Sequence, residues 1–179
     1  MRGKCIIALA RIRGYSYKAN RKNDYLMNKK PASKVLSSLI AIFAIVAIFV
    51  EYAPAFDEET APVLGSVFTV MFGNSSKDLA VIVPLVIAFC ALLLGFIIMG
   101  ISLLMNGSAL RACFIAEAVL FVGAGVLFLM TPNFYVAANG ANSMVSVKGL
   151  GSGTICTAVF AFLSGAVALI GLLVAKKEA

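Results

Sequence analysis

Hydrophobic residues in this chain fall into four long blocks separated by polar stretches. The first, VLSSLIAIFAIVAIFVEYA, covers residues 35–53, and the second, LAVIVPLVIAFCALLLGFIIMGISLLM, covers 79–105. The third runs over 110–130, and the fourth, GTICTAVFAFLSGAVALIGLLVA, over 153–175. A helix that crosses the hydrocarbon core of a bilayer needs about 20 apolar residues. The pattern therefore predicts an all-α membrane protein, a bundle of four transmembrane helices forming one domain over residues 35–177.

The punctuation between the blocks refines the picture. Pro84 lies inside the second block and predicts a kink at its outer end. In the NGS turn, residues 106–108, Asn106 and Gly107 suit the C-cap of one helix and Ser108 the N-cap of the next. The third block stops before Pro132. Two longer connections remain, residues 54–78 and 131–152. The first holds a β-prone run from Ser66 to Phe72, and the second holds Asn139-Gly140 between two β-prone runs, a hairpin signal. Paired together, these runs predict a small extracytoplasmic antiparallel β cap over the bundle.

Charge sets the expected orientation. Residues 1–34 carry ten of the 15 Lys and Arg, and Arg111, Lys176 and Lys177 fall on the same side of a four-span topology. Only Lys77 and Lys148 fall on the other. The positive-inside rule places both termini in the cytoplasm, with a bacterial cytoplasmic membrane as the expected location. The same distribution assigns the net charge of +7 to membrane flanks, not to nucleic acid. The basic tail admits three readings: a segment lying on anionic lipid, a presequence-like leader, or sequence upstream of a start at Met27. MNKKPASK, from Met27, reads as a bacterial N-terminus, so residues 1–26 are expected to be dispensable. A cleaved signal peptide competes for the first block, because APA at 53–55 resembles a cleavage site; the block's length favours a retained helix.

Composition narrows the chemistry. The chain is 61% hydrophobic and 13% charged and has no histidine and no tryptophan. Imidazole metal sites and Ser-His or Cys-His nucleophiles are thereby excluded, and no cofactor or metal is expected. Cys90, Cys113 and Cys156 fall in or near apolar blocks and Cys5 in the tail, without CxxC spacing, so they read as small hydrophobes.

One residue breaks the apolar pattern. Glu117 stands in RACFIAEAVLFVGAG, residues 111–125, about two turns into the third block. Helical spacing surrounds it with Cys113, Ala116, Leu120, Gly123 and Ala124, while Ile115, Val119, Val122, Val126 and Leu129 form a bulkier opposite face suited to lipid. Glu117 should therefore point into the bundle or a second subunit. Its expected neighbours are Ser38 in the first block, Gly95, Gly100 and Ser102 in the second, and Gly165 and Ala168 in the fourth. Arg111 lies six residues away on another face. Glu117 then reads either as a protonated hydrogen-bonding strut or as a proton or cation site, the default suspicion for an ionisable group inside a membrane. Helix packing is expected at Gly95, Gly100, Ala116, Gly123, Ala161 and Gly165.

Two further motifs are set aside. GLGSG at 149–153 lacks the following lysine of a phosphate loop. NSS at 74–76 suits glycosylation only in a secretory-pathway host. The plan of four helices, cytoplasmic termini and an outer sheet resembles the layout of claudins. Claudins carry first-loop tryptophans and a cysteine pair; this chain has neither, so the resemblance implies layout alone and no residue roles. The sequence points first to a non-enzymatic structural, interaction or accessory protein whose partners are the bilayer and a membrane protein or second copy. The alternatives are a small proton-coupled transporter using Glu117 and, third, a membrane enzyme.

Overall fold

The computed structural model describes residues 32–56, 65–75, 79–139 and 149–178, and the compact unit begins at Ser33. Six helices are present among these residues: α1 Ala32–Val50, α2 Val67–Phe72, α3 Val83–Ser102, α4 Gly107–Leu129, α5 Thr131–Asn139 and α6 Ser152–Glu178. Four of them, α1, α3, α4 and α6, are long and apolar enough to cross a membrane. Backbones approach most closely where α4 lies between α3 and α6. Side chains attach α1 to the two outer members of that set. Ser102 of α3 meets Ser37 of α1 at 3.2 Å, and Thr157 of α6 donates to the Ala47 carbonyl at 3.4 Å.

Each helix turns one stripe inward. On α1 the buried residues Ser33, Ser37, Ile40, Ala44 and Ala47 recur at steps of three and four, while Val35, Ile42 and Phe49 are exposed. On α4, Phe114, Phe121 and Phe128 are buried seven residues apart, two turns of helix. The rings of Phe114 and Phe121 fill notches left by glycines. A Cβ at Gly95 would stand 2.9 Å from the Phe121 ring, and one at Gly171 would stand 2.6 Å from Phe114. Gly165 approaches Val122 in the same way, at 2.7 Å. Small residues opposite large ones maximise dispersion contact, the main force between helices in a medium as apolar as their side chains.

The predicted β cap is absent: no strand forms among the described residues, which contain only isolated bridges, Pro54–Ser66, Phe56–Leu150 and Asn74–Leu79. The run Ser66–Phe72 is helical instead. Ser66 Oγ accepts from Thr69 N at 3.3 Å, and Val67, Val70 and Met71 share one buried face. A local cap and a helical burial pattern override the strand preference of Val, Phe and Thr, which depends on context. The first half of the expected hairpin is α5; residues 140–148 lie outside the described residues. The fold is therefore helical throughout the described segments, and the claudin-like outer sheet does not carry over.

Prolines start helices here. Pro84 occupies the first turn of α3, so α3 begins at Val83 without a kink, because a first-turn residue has no intrahelical partner for its N–H. Leu79, expected inside the helix, instead exchanges backbone hydrogen bonds with Asn74, both at 3.1 Å. Pro132 likewise sits in the first turn of α5. The NGS turn is shifted as well. Asn106 occupies the N-cap position of α4, and Gly107 opens the helix with φ +62, a conformation that L side chains rarely adopt.

The loop end of the bundle, opposite the end where α1 begins and α6 finishes, is closed by backbone contacts. Gly151 N donates to Ala55 O and Gly153 N to Pro54 O, both at 2.9 Å. Thr154 Oγ1 adds a 2.7 Å bond to Ala55 O. A Cβ at Gly153 would stand 2.6 Å from the Ala53 carbonyl, and one at Gly151 would collide with the Phe56 carbonyl. The GLGSG segment thus uses glycine so that two stretches of backbone can touch. Tyr52, Phe68, Phe72 and Phe89 cluster nearby, with Tyr52 stacked on Phe68 at 5.8 Å, a placement suited to a membrane–water boundary.

Candidate functional site

Glu117 lies on the inward face of α4 and is 0% exposed. Among the described residues, neither carboxyl oxygen has a partner in ordinary hydrogen-bond geometry. Its surroundings come from three helices. Ser37 projects from α1 and Ser102 from the last turn of α3, both fully buried. The Ser102 hydroxyl faces the Glu117 carboxyl and is placed to donate to it, although the contact falls short of ordinary hydrogen-bond geometry. Cys113 stands one turn below Glu117 on α4 and close enough to feel its charge. Arg111, further down the same helix, has its own Nε unpartnered.

The two serine hydroxyls have several acceptors. Ser102 Oγ donates to the Met99 carbonyl at 2.7 Å or to Ser37 Oγ at 3.2 Å, and Ser37 Oγ donates to the Ser33 carbonyl at 3.2 Å. A hydroxyl has one proton, so Ser102 serves Met99, Ser37 or Glu117 one at a time. Such a setting offers a carboxylate at most one shared donor, whereas a carboxylic acid or a bound cation can use the lone pairs of both hydroxyls.

The other sequence-selected residues distribute unevenly. Ser38 is not in the cluster: it is exposed and donates to the Lys34 carbonyl at 3.1 Å. The inward register of α1 selects Ser37, one residue earlier. Gly95, Ala161 and Gly165 are buried at helix contacts, and Ala116 is half-buried. Gly100 and Gly123 are exposed, with nothing within 4 Å of a would-be Cβ. Among the described residues they make no packing contact.

A second buried acid stands at the end of the first apolar block. Glu51 follows the last residue of α1 and is 1% exposed, and both its carboxyl oxygens are unpartnered. Burial pushes its pKa up to about 8, since removing a carboxyl from water disfavours the charged form. The signal that could have found it is register. Steps of four, three, four, three and four from Ser33 run through Ser37, Ile40, Ala44 and Ala47 to Glu51, so Glu51 falls on the inward stripe. Its carbonyl also accepts Phe68 N at 3.1 Å, tying α1 to α2. No cluster of three His, Cys, Asp or Glu occurs among the described residues.

These features define a multi-pass helical membrane protein with two buried, unpartnered acids, one near each end of the bundle. Comparison of the chain with protein-family models, with curated proteins and with solved structures finds no match.

Proposed function

We propose that this chain is a non-enzymatic membrane protein that binds and releases a proton at Glu117 as the basis of proton-coupled transport. The observation that carries the reading is the fully buried carboxyl without an ordinary hydrogen bond or a cation among the described residues, beside hydroxyls that have other acceptors. A strut would use its carboxyl to hold another helix. In bilayer surroundings an ionisable group is costly to keep for structure alone. The test is charge movement. Vesicles bearing the protein on a supported membrane should give a transient current after a pH step, as protons enter the membrane field. Glu117→Gln should fold equally well and give none. Equal currents from the two proteins would refute the reading.

A second reading, an accessory or interaction protein, is supported by Gly100 and Gly123. Both leave bare backbone on exposed faces of membrane helices, where a partner helix or a second copy can come close.

The orientation we propose puts both termini in the cytoplasm of a bacterial cell, on the charge asymmetry described above. Ser75 and Ser108 are both exposed and belong to opposite ends of the bundle. In a background without native cysteines, a cysteine at Ser75 should react with an impermeant thiol reagent added outside cells, and one at Ser108 should not. The reverse pattern would invert the topology.

A further inference from the structure

We propose that Glu117, Ser37 and Ser102 form a binding site for a sodium-sized monovalent cation, which competes with the proton for the same carboxyl. The inference rests on the reading of Glu117 as a proton-binding group and adds the identity of the competing ligand.

The donor set is all oxygen: one carboxyl and two hydroxyls, with the carbonyls of Met99 and Ser33 behind them. Oxygen ligands suit hard cations. Both hydroxyls can turn their protons to the backbone carbonyls of Met99 and Ser33, which frees the lone pairs of Ser102 and Ser37 for an ion. The 3.2 Å between these oxygens lets two ligands share one ion at about 2.4 Å, the range of hard cations of calcium-like radius. Charge then selects the valence. Among the described residues Glu117 is the only carboxylate in the cluster, Ser102 of α3 and Ser37 of α1 are neutral, and the buried residues of α6 carry no charge. On α4 the nearest titratable groups are Cys113 and Arg111. A monovalent ion leaves the site neutral, whereas a divalent ion leaves a net positive charge in a low-dielectric interior, which is costly.

Modification by a hydrophobic carbodiimide tests the proposal on the full chain in detergent micelles. The reagent adds to a protonated carboxyl and, after acyl migration, remains on it as an N-acylurea that mass spectrometry can locate. At fixed pH and ionic strength, modification of Glu117 should be several-fold slower in sodium chloride than in choline chloride. S102A, checked for folding by circular dichroism, should lose most of that protection. Equal rates in sodium, lithium, potassium and choline salts, with modification still slowing as pH rises, would overturn the cation site and leave the proton reading standing. A Glu117 that resists modification at every pH and in every salt would overturn both.

Discussion

Glu51→Gln is expected to stabilise the folded protein by a few kcal/mol at pH 8 and above and to have almost no effect near pH 4. The wild-type carboxyl is buried with no partner, and burial raises its pKa from 4.5 to about 8. The sign follows from linkage. Between those two values the folded state holds a proton that the unfolded state has released, so wild-type stability falls as pH rises through the window and levels off above it. A tenfold difference in proton affinity between the folded and unfolded states corresponds to about 1.4 kcal/mol, which sets the upper scale. Glutamine reproduces the shape of the protonated acid and cannot ionise. Its advantage should therefore grow from pH 4.5 to about 8 and then stay constant. Reversible unfolding in detergent, with the two proteins compared at each pH, gives this difference directly and cancels contributions from other groups. Parallel curves would mean that Glu51 has a partner or reaches water in the folded protein.

The second large effect is expected at Glu117. Glu117→Gln should abolish proton binding at the cluster while leaving the fold intact, because the amide can donate to the serine lone pairs that the acid faces. Glu117→Ala should also abolish binding and should in addition leave a gap between α1, α3 and α4. Its stability cost should be about 0.6–2 kcal/mol, the scale of interhelical polar contacts in membranes. Unfolding measurements and the pH-step currents together separate the two roles. A strut keeps its stability in Gln, loses it in Ala and never carried a current; a proton site loses the current in both variants.

Much of this is legible in the residues. The four blocks correspond to the four membrane helices, since length and apolarity are properties of the blocks themselves. The burial of Glu117 is legible from the bulky, exposed Ile115, Val119 and Val126 opposite it; the expected small face is not, because the inward stripe of α4 carries Phe114, Phe121 and Phe128, and Gly123 is exposed. The errors arise where a local signal depends on tertiary context. Val67–Phe72 is strand-like in composition and helical in place, because Ser66 caps it and its buried face repeats at helical spacing. Pro84 predicts a kink only if the helix begins where the apolar block does; here the block starts first, and the backbone at Leu79 is held by Asn74. Ser38 and Ser37 are neighbours in the sequence, but only counting along the whole inward stripe tells them apart, and the same count brings Glu51 inside. Gly100 and Gly123 resemble the packing glycines, yet which glycine receives a phenylalanine depends on helix pairing, and pairing is not written in one helix alone.

Whether Glu117 is a titratable proton site is tested most directly by infrared difference spectroscopy across a pH step. The protein should show a protonated-carboxyl band that disappears as pH rises, shifts when the carboxyl carbon is isotope-labelled, and is missing from the Glu117→Gln spectrum. Glu51→Gln should remove a separate band and leave this one in place. A Glu117 band that stays constant over the whole range in which the protein remains folded, or a pH-dependent band that survives Glu117→Gln unchanged in a Glu51→Gln background, would contradict the assignment of Glu117 as the proton site.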